Sequence, residues 1–152
     1  MKIEQLKSRP NANENKKLEK SHKCMQGSID ALNKKDLPSD ISTMINQVVE
    51  TVNSFSGTDK ELIKAMKTAN KTILKEVMQE LKLVPKNHYR NMWMVLGMSV
   101  FGVPMGVTFS VSLGNYAFIG MGLPIGMAIG IAIGTGIDQK AEKEGKQLDI
   151  EV

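Results

Sequence analysis

Hydrophobic residues follow two different patterns along the chain. Up to residue 90, apolar residues recur three or four positions apart among charged and polar ones, which is the period of an amphipathic α-helix. Residues 91–137 contain no Asp, Glu, Lys, Arg or His. Because one bilayer crossing takes about 20 apolar residues, this stretch is long enough for two. We therefore predict an all-α protein, with an N-terminal amphipathic bundle of two to three helices followed by a two-span transmembrane helical hairpin.

Three amphipathic segments form the predicted bundle. The first shows apolar residues on one helix face over 18–32. The second begins at Ser39, a typical N-cap residue. The third, roughly 59–83, follows Thr58-x-x-Glu61, the sequence of a capping box, in which a hydroxyl and a carboxylate each accept a hydrogen bond from a backbone N–H. The short connection between the second and third segments predicts an antiparallel αα-hairpin.

The same patterns, with the polar composition of both ends, predict the organisation of the whole chain. It consists of a flexible arm (1–12), a cytoplasmic helical region (13–84), an interfacial linker (85–91), a transmembrane hairpin (92–137, with spans 92–113 and 117–137) and a charged C-terminal tail (138–152). At about 1.5 Å per residue, each span can cross a hydrocarbon core of about 30 Å.

Charged residues flank the apolar stretch and set its predicted orientation. Basic residues lie before the first span and after the second, whereas the turn at 114–116 carries no charge. The positive-inside rule then places both termini in the cytoplasm. Tyr89, Arg90 and Trp93 stand where the apolar stretch begins, and we expect them to anchor the hairpin at the membrane interface.

The apolar stretch contains an internal repeat. Residues 101–107 align with residues 121–127 at an offset of twenty, and both copies hold two glycines and a proline at matching positions. Because the two copies lie in antiparallel spans, the repeat predicts a pseudo-twofold axis in the membrane plane.

Small residues recur every four positions in both spans and form a glycine zipper. Such residues let two backbones approach closely, which favours helix association where lipid removes the hydrophobic force. The predicted helix-packing residues are Gly102, Gly106, Ser110 and Gly114 in the first span and Gly122, Gly126, Gly130 and Gly134 in the second. A second small stripe beside them consists of Ala128, Ala132 and Gly136. The glycines pack the two spans against each other, and with small residues on two faces we also expect a homo-oligomer.

The stretch from Phe101 to Leu148, with its spaced glycines, Pro124, Asp138 and the charged ending from Gln139, resembles the small bacterial glycine-zipper family of membrane proteins. The resemblance covers about a third of the chain. It implies a multi-pass protein of the bacterial cytoplasmic (inner) membrane, and it implies no defined activity.

The sequence offers little for catalysis. Cys24 is the sole cysteine, and the histidines are His22 and His88. The pair His22-x-Cys24 lacks the further ligands of a zinc site, and the glycines lie in apolar spans rather than in a phosphate-binding loop. We therefore predict a protein that is not an enzyme and takes no metal and no cofactor. The basic excess, 20 Lys and Arg against 16 Asp and Glu, is too weak and diffuse to indicate nucleic-acid binding.

One face of the third predicted helix is basic. Its members, called the lysine stripe below, are Lys60, Lys64, Lys67, Lys71, Lys75 and Lys82. The stripe is either a solvated face or a contact for anionic lipid headgroups or an acidic partner.

Two functions are open on these grounds. In the first, an integral membrane protein self-associates through its glycine zipper and forms a pore or a membrane-perturbing assembly in the bilayer. In the alternative, a non-conducting anchor or scaffold presents the helical bundle to a cytoplasmic protein partner. Since no ionisable residue lies within the spans, a conducting path would have to form between copies.

Overall fold

The computed structural model describes residues 2–7 and 15–151 and confirms the all-α class. The elements in chain order are α1 (Lys16–Asn33), α2 (Ser39–Asn53), α3 (Asp59–Leu81), β1 (Val84–Lys86), α4 (His88–Gly97), a π turn (Met98–Gly102), α5 (Val103–Leu113), a 3-10 turn (Tyr116–Phe118), α6 (Ile119–Lys143) and β2 (Gln147–Glu151). The short strands β1 and β2 pair in a two-stranded sheet. The chain divides into two compact units, a helical unit (Met1–Val84 with Leu148–Ile150) and a hairpin unit (Pro85–Gln147 with Glu151).

The helical unit is held together by the apolar faces of α1, α2 and α3. α3 packs against both α1 and α2. The centre of the core consists of fully buried side chains, among them Met25, Ile29, Ile45, Val49 and Ile73. These positions belong to the three amphipathic patterns of the sequence, because residues three and four apart share one helix face.

The capping box at the start of α3 is confirmed. The Glu61 carboxylate accepts hydrogen bonds from the Thr58 backbone N–H at 2.9 Å and from its hydroxyl at 2.8 Å. The Thr58 hydroxyl oxygen in turn accepts from the Glu61 N–H at 3.5 Å. The side-chain and then the backbone hydrogen bond from Thr58 hold the pKa of Glu61 below its ordinary value. At α2 the structure differs from the prediction, because Ser39 is the first helical residue and Pro38 occupies the N-cap position without a side-chain cap.

The first residues also differ from the predicted flexible arm. Residues 2–7 form no helix or strand and lie against the helical unit, and Ile3 and Leu6 are 2% and 8% exposed within its core. The polar composition of the segment led to the prediction of a flexible arm. Its two large apolar residues nevertheless lie three positions apart and both enter the core of the helical unit. Residue 1 and residues 8–12 of that prediction lie outside the described residues.

The helices of the hairpin unit extend beyond the predicted spans at both polar ends. The first begins at His88, inside the predicted linker 85–91, and α6 continues to Lys143, inside the predicted tail 138–152. Gln, Lys, Ala and Glu at the end of α6 are good helix formers, so the helix persists where hydrophobicity ends. The rest of the linker and tail supplies β1 and β2 rather than irregular chain.

Candidate functional site

The glycines of α6 form one continuous buried face. Gly122, Gly126, Gly130 and Gly134 are spaced four apart and all are buried. A Cβ atom on Gly126 would lie 2.5 Å from the Gly102 nitrogen, and one on Gly134 would lie 2.5 Å from the Arg90 Cα. Only glycine fits at such distances, so the backbones of the two helices are in direct contact along this face.

The glycine face of α6 packs against the first helix of the hairpin, which runs from α4 to α5. The packed face of that helix includes a residue that the sequence did not predict. Gly102, Gly106 and Ser110 are buried, and so is Gly97, where a Cβ atom would lie 2.8 Å from the Gly130 Cα. Gly114 does not pack against the other span. It ends α5 in the left-handed region at φ 64°, with nothing near the position of a Cβ atom, and therefore belongs to the turn.

The π turn explains why a four-residue spacing does not predict Gly97 as a packing residue. Gly97 and Gly102 are five residues apart, which on a continuous α-helix would put them on different faces. The i→i−5 hydrogen bonding of this turn, which includes the bond from the Val103 N–H to the Met98 carbonyl, accommodates the extra residue. Pro104 follows directly and has no N–H to donate to an i−4 carbonyl.

The two copies of the internal repeat meet each other across the hairpin, and the contacts cross over between them. A Cβ atom on Gly122 would lie 2.7 Å from the Gly106 Cα, and one on Gly126 would lie 2.6 Å from the Gly102 Cα. The repeat exchanges these two contacts, because it maps Gly102 onto Gly122 and Gly106 onto Gly126. The glycine face thus contains the local pseudo-twofold relation that the offset predicts.

Asp138 closes the polar end of the hairpin. Its carboxylate accepts hydrogen bonds from the N–H groups of Tyr89 and Arg90, at 3.1 and 2.9 Å, and its side chain is buried. These N–H groups belong to the first turn of α4. The N-cap residue of α4, Asn87, makes no capping hydrogen bond through its side chain. A residue 48 to 49 positions away therefore caps the first helix of the hairpin.

The three predicted interface anchors lie at this same end. Tyr89 and Trp93 are half-buried and Arg90 is exposed. The His88 and Tyr89 rings meet edge to face with centroids 5.2 Å apart. The Tyr89 and Trp93 carbonyls also contact Gly134 and Gly130, so the main chain of these residues belongs to the helix contact.

The outer surface of the hairpin is apolar and exposed. Val95, Val111 and Leu113 are 61%, 74% and 60% exposed. The continuous helices His88–Leu113 and Tyr116–Lys143 are long and apolar enough to cross a membrane, and 22% of the most apolar stretch of each is buried. A core helix of a soluble protein is mostly buried, so this pattern favours a membrane protein over a water-exposed hairpin.

The second small stripe of α6 faces outward. Ala128, Ala132 and Gly136 are exposed, and nothing lies within 4 Å of a Cβ atom placed on Gly136. Gly120 is open in the same way. The two stripes therefore differ, since one is occupied by the first span and the other is open along the outer surface.

Hydroxyl groups of the spans are satisfied within their own helix where the structure describes a partner. Ser99 donates to the Val95 carbonyl at 3.1 Å, and Thr108 donates to the Pro104 carbonyl at 2.9 Å. This bonding suits a lipid-facing surface, because these two donors find acceptors without water.

The lysine stripe lies exposed on the helical unit. Five of its members are on α3, and Lys82 follows the end of the helix in the left-handed region at φ 56°. None of the six makes a hydrogen bond or ion pair through its ammonium group within residues 2–7 and 15–151. The same part of the chain holds no cluster of three His, Cys, Asp or Glu residues that could bind a metal ion.

Comparison with protein-family models, curated proteins and solved structures finds no match to this chain. The resemblance to the glycine-zipper family therefore stays a prediction.

Proposed function

We propose that the protein is a membrane anchor whose hairpin crosses the bilayer and holds the helical unit at the membrane surface for a cytoplasmic protein partner. The observation that carries this proposal is the division of the hairpin into a backbone-packed glycine face and an exposed apolar outer surface. In water, the outer surface of such a helix pair would expose a large apolar area, which is unfavourable. In a bilayer, lipid chains cover the same surface.

The proposed location is the bacterial inner membrane with both termini in the cytoplasm. The basic residues flanking the spans support this orientation. The lysine stripe supports it further, because exposed ammonium groups without a partner are attracted to an anionic cytoplasmic leaflet.

The single cysteine allows a direct test of this topology. Cys24 lies in the helical unit and is exposed. In sealed vesicles of cytoplasmic membrane, a membrane-impermeant maleimide should label Cys24 only when the cytoplasmic face is outside. A matched variant, Cys24→Ser with Asn115→Cys at the hairpin turn, should label with the opposite sidedness. Labelling of both cysteines from the same face would rule out a two-span hairpin, and release of the protein by alkaline carbonate would rule out an integral membrane protein.

Self-association is the second candidate, and the open stripe on α6 favours it. Small exposed residues at 128, 132 and 136 would let a second hairpin approach closely. Replacing Ala128 and Gly136 together with leucine should then abolish oligomers in nanodiscs while the hairpin stays folded. A mass unchanged by this double substitution would remove the outward stripe from consideration.

A pore is the most demanding form of self-association. It would require an oligomer that releases a small dye from sealed liposomes. Oligomers that retain both the dye and small ions at every protein density would exclude conduction and leave the anchor as the function.

A further inference from the structure

Four amide side chains of the helical unit bind the main chain of residues 2–7, called the N-terminal segment below. On α1, Asn33 Oδ1 accepts from the Ile3 N–H at 2.8 Å, its Nδ2 donates to the Ile3 carbonyl at 3.2 Å, and Gln26 accepts from the Leu6 N–H at 3.1 Å. The N-terminal segment is thus fixed to α1 by three hydrogen bonds, all to its backbone.

The other side of the N-terminal segment is bound in the same way by α2. Asn46 accepts from the Glu4 N–H and Asn53 from the Lys7 N–H, both at 2.9 Å. The Asn53 Nδ2 also donates to the Gln5 carbonyl at 3.3 Å. We call the surface formed by Gln26, Asn33, Asn46 and Asn53 the amide groove.

The spacing of the amides matches an extended chain. Gln26 and Asn33 are seven residues apart, as are Asn46 and Asn53. Seven helical residues span about 10.5 Å, and three residues of extended chain span about 10 Å, so each pair of amides meets backbone groups three residues apart. The contacts run from Asn33 down to Gln26 and from Asn46 up to Asn53, so the segment lies antiparallel to α1 and parallel to α2.

The contacts also define what the amide groove can select. Every hydrogen bond involves the backbone of the segment, so these bonds tolerate any side chain. Selectivity comes from Ile3 and Leu6, which are buried, while Lys2, Glu4 and Lys7 point to solvent and are exposed. A cavity of about 20 Å³ borders Leu6, which leaves room for a slightly longer apolar side chain.

We propose that the amide groove is a peptide-binding site for an extended segment with apolar residues at positions i and i+3, and that the N-terminal segment of a second copy is the occupant it fits. The second copy's segment carries the same backbone and the same two anchors, so exchange loses no contact. The chain's own segment competes at an effective concentration in the millimolar range, as expected for a short tether. Exchange would pair helical units independently of any contact between hairpins.

The test uses the full-length chain in detergent and a fluorescein-labelled synthetic peptide with the sequence of residues 1–8. The receptor is the variant Ile3→Ser with Leu6→Ser, whose own segment lacks both anchors and whose groove is unchanged. We expect saturable binding to this variant and at least tenfold weaker binding to the parent chain, measured by fluorescence anisotropy. Adding Asn53→Ala to the receptor should weaken binding by roughly tenfold, because two hydrogen bonds are lost.

The control peptide carries serine at positions 3 and 6 and should not bind, whereas a peptide with methionine at position 6 should bind at least as tightly as the native one. A receptor that is helical by circular dichroism and ignores the native peptide, or binds both peptides equally, would overturn the proposal.

A second measurement serves if the receptor variant does not fold. In the parent chain, millimolar native peptide should displace the N-terminal segment and accelerate tryptic cleavage after Lys7, while the serine peptide should not. Equal cleavage with the two peptides would contradict the proposal in the same way.

Discussion

The substitution Gly126→Ala tests whether backbone contact holds the hairpin together. In the structure, the added Cβ atom would lie 2.5 Å from the Gly102 nitrogen and 2.6 Å from its Cα. Ordinary van der Waals contacts begin near 3.4 Å, so the helices must separate by roughly 1 Å at this point. Overpacking of this kind costs about 1–3 kcal/mol. The matched control is Gly136→Ala on the same helix, where nothing lies within 4 Å of the new atom.

Trp93 supplies the assay for this pair of variants. It is the only tryptophan in the chain, and its carbonyl contacts Gly130 on the glycine face. Unfolding by dodecyl sulfate in mixed micelles, followed by Trp93 fluorescence, should show a lower midpoint for Gly126→Ala. The midpoint for Gly136→Ala should stay at or above that of the parent chain. Equal midpoints for the two variants would refute close backbone packing as the source of hairpin stability.

Three further predictions concern the polar parts of the molecule. Asp138→Ala should cost about 1 kcal/mol of hairpin stability and speed hydrogen exchange at the Tyr89 and Arg90 amides, and unchanged exchange would show that the cap is dispensable. Thr58→Ala should destabilise the helical unit by about 1 kcal/mol in urea unfolding. The folded-state pKa of Glu61 is lowered, so its ionised carboxylate stabilises the helical unit. This stabilisation should be complete above the ordinary pKa of 4.5 and should disappear as the pH falls through the folded-state pKa. Glu61→Gln should remove this pH dependence of unfolding. The lysine stripe should react more slowly with an amine reagent in anionic than in zwitterionic vesicles, and equal rates would favour a solvated face.

The sequence predicted the parts of the fold that follow a regular period. The apolar faces of α1 to α3, the capping box at Thr58 and the four-residue spacing of the α6 glycines are all local patterns, and the structure retains them. Gly97 lies five residues before Gly102 rather than four, and it reaches the packed face because of the π turn between them. A search restricted to four-residue spacing cannot find such a position.

Long-range polar contacts were beyond local reasoning for a different reason. Asp138 was predicted to be the first residue of the charged tail. It caps a helix only because the N-terminus of α4 lies beside it in the hairpin. The four amides of the groove carry no local signal of a partner, and the N-terminal segment was predicted as part of a flexible arm. Each of these groups acquires its partner only after the helices pack, so no window along the chain contains both members of a contact.

The two small stripes of α6 determine how self-association can be tested. Leucine at Gly126 and Gly130 would project into the first span, so loss of oligomers from that variant would also follow from loss of the hairpin. Leucine at Ala128 and Gly136 projects outward, where no other part of the hairpin would need to move. The buried glycines of α6 are therefore already used for packing within the hairpin, and a contact between hairpins through small residues would have to use the exposed, alanine-containing stripe. Alanine holds two backbones further apart than glycine does, so such an association would be weaker and more dependent on protein density in the membrane than the packing within the hairpin.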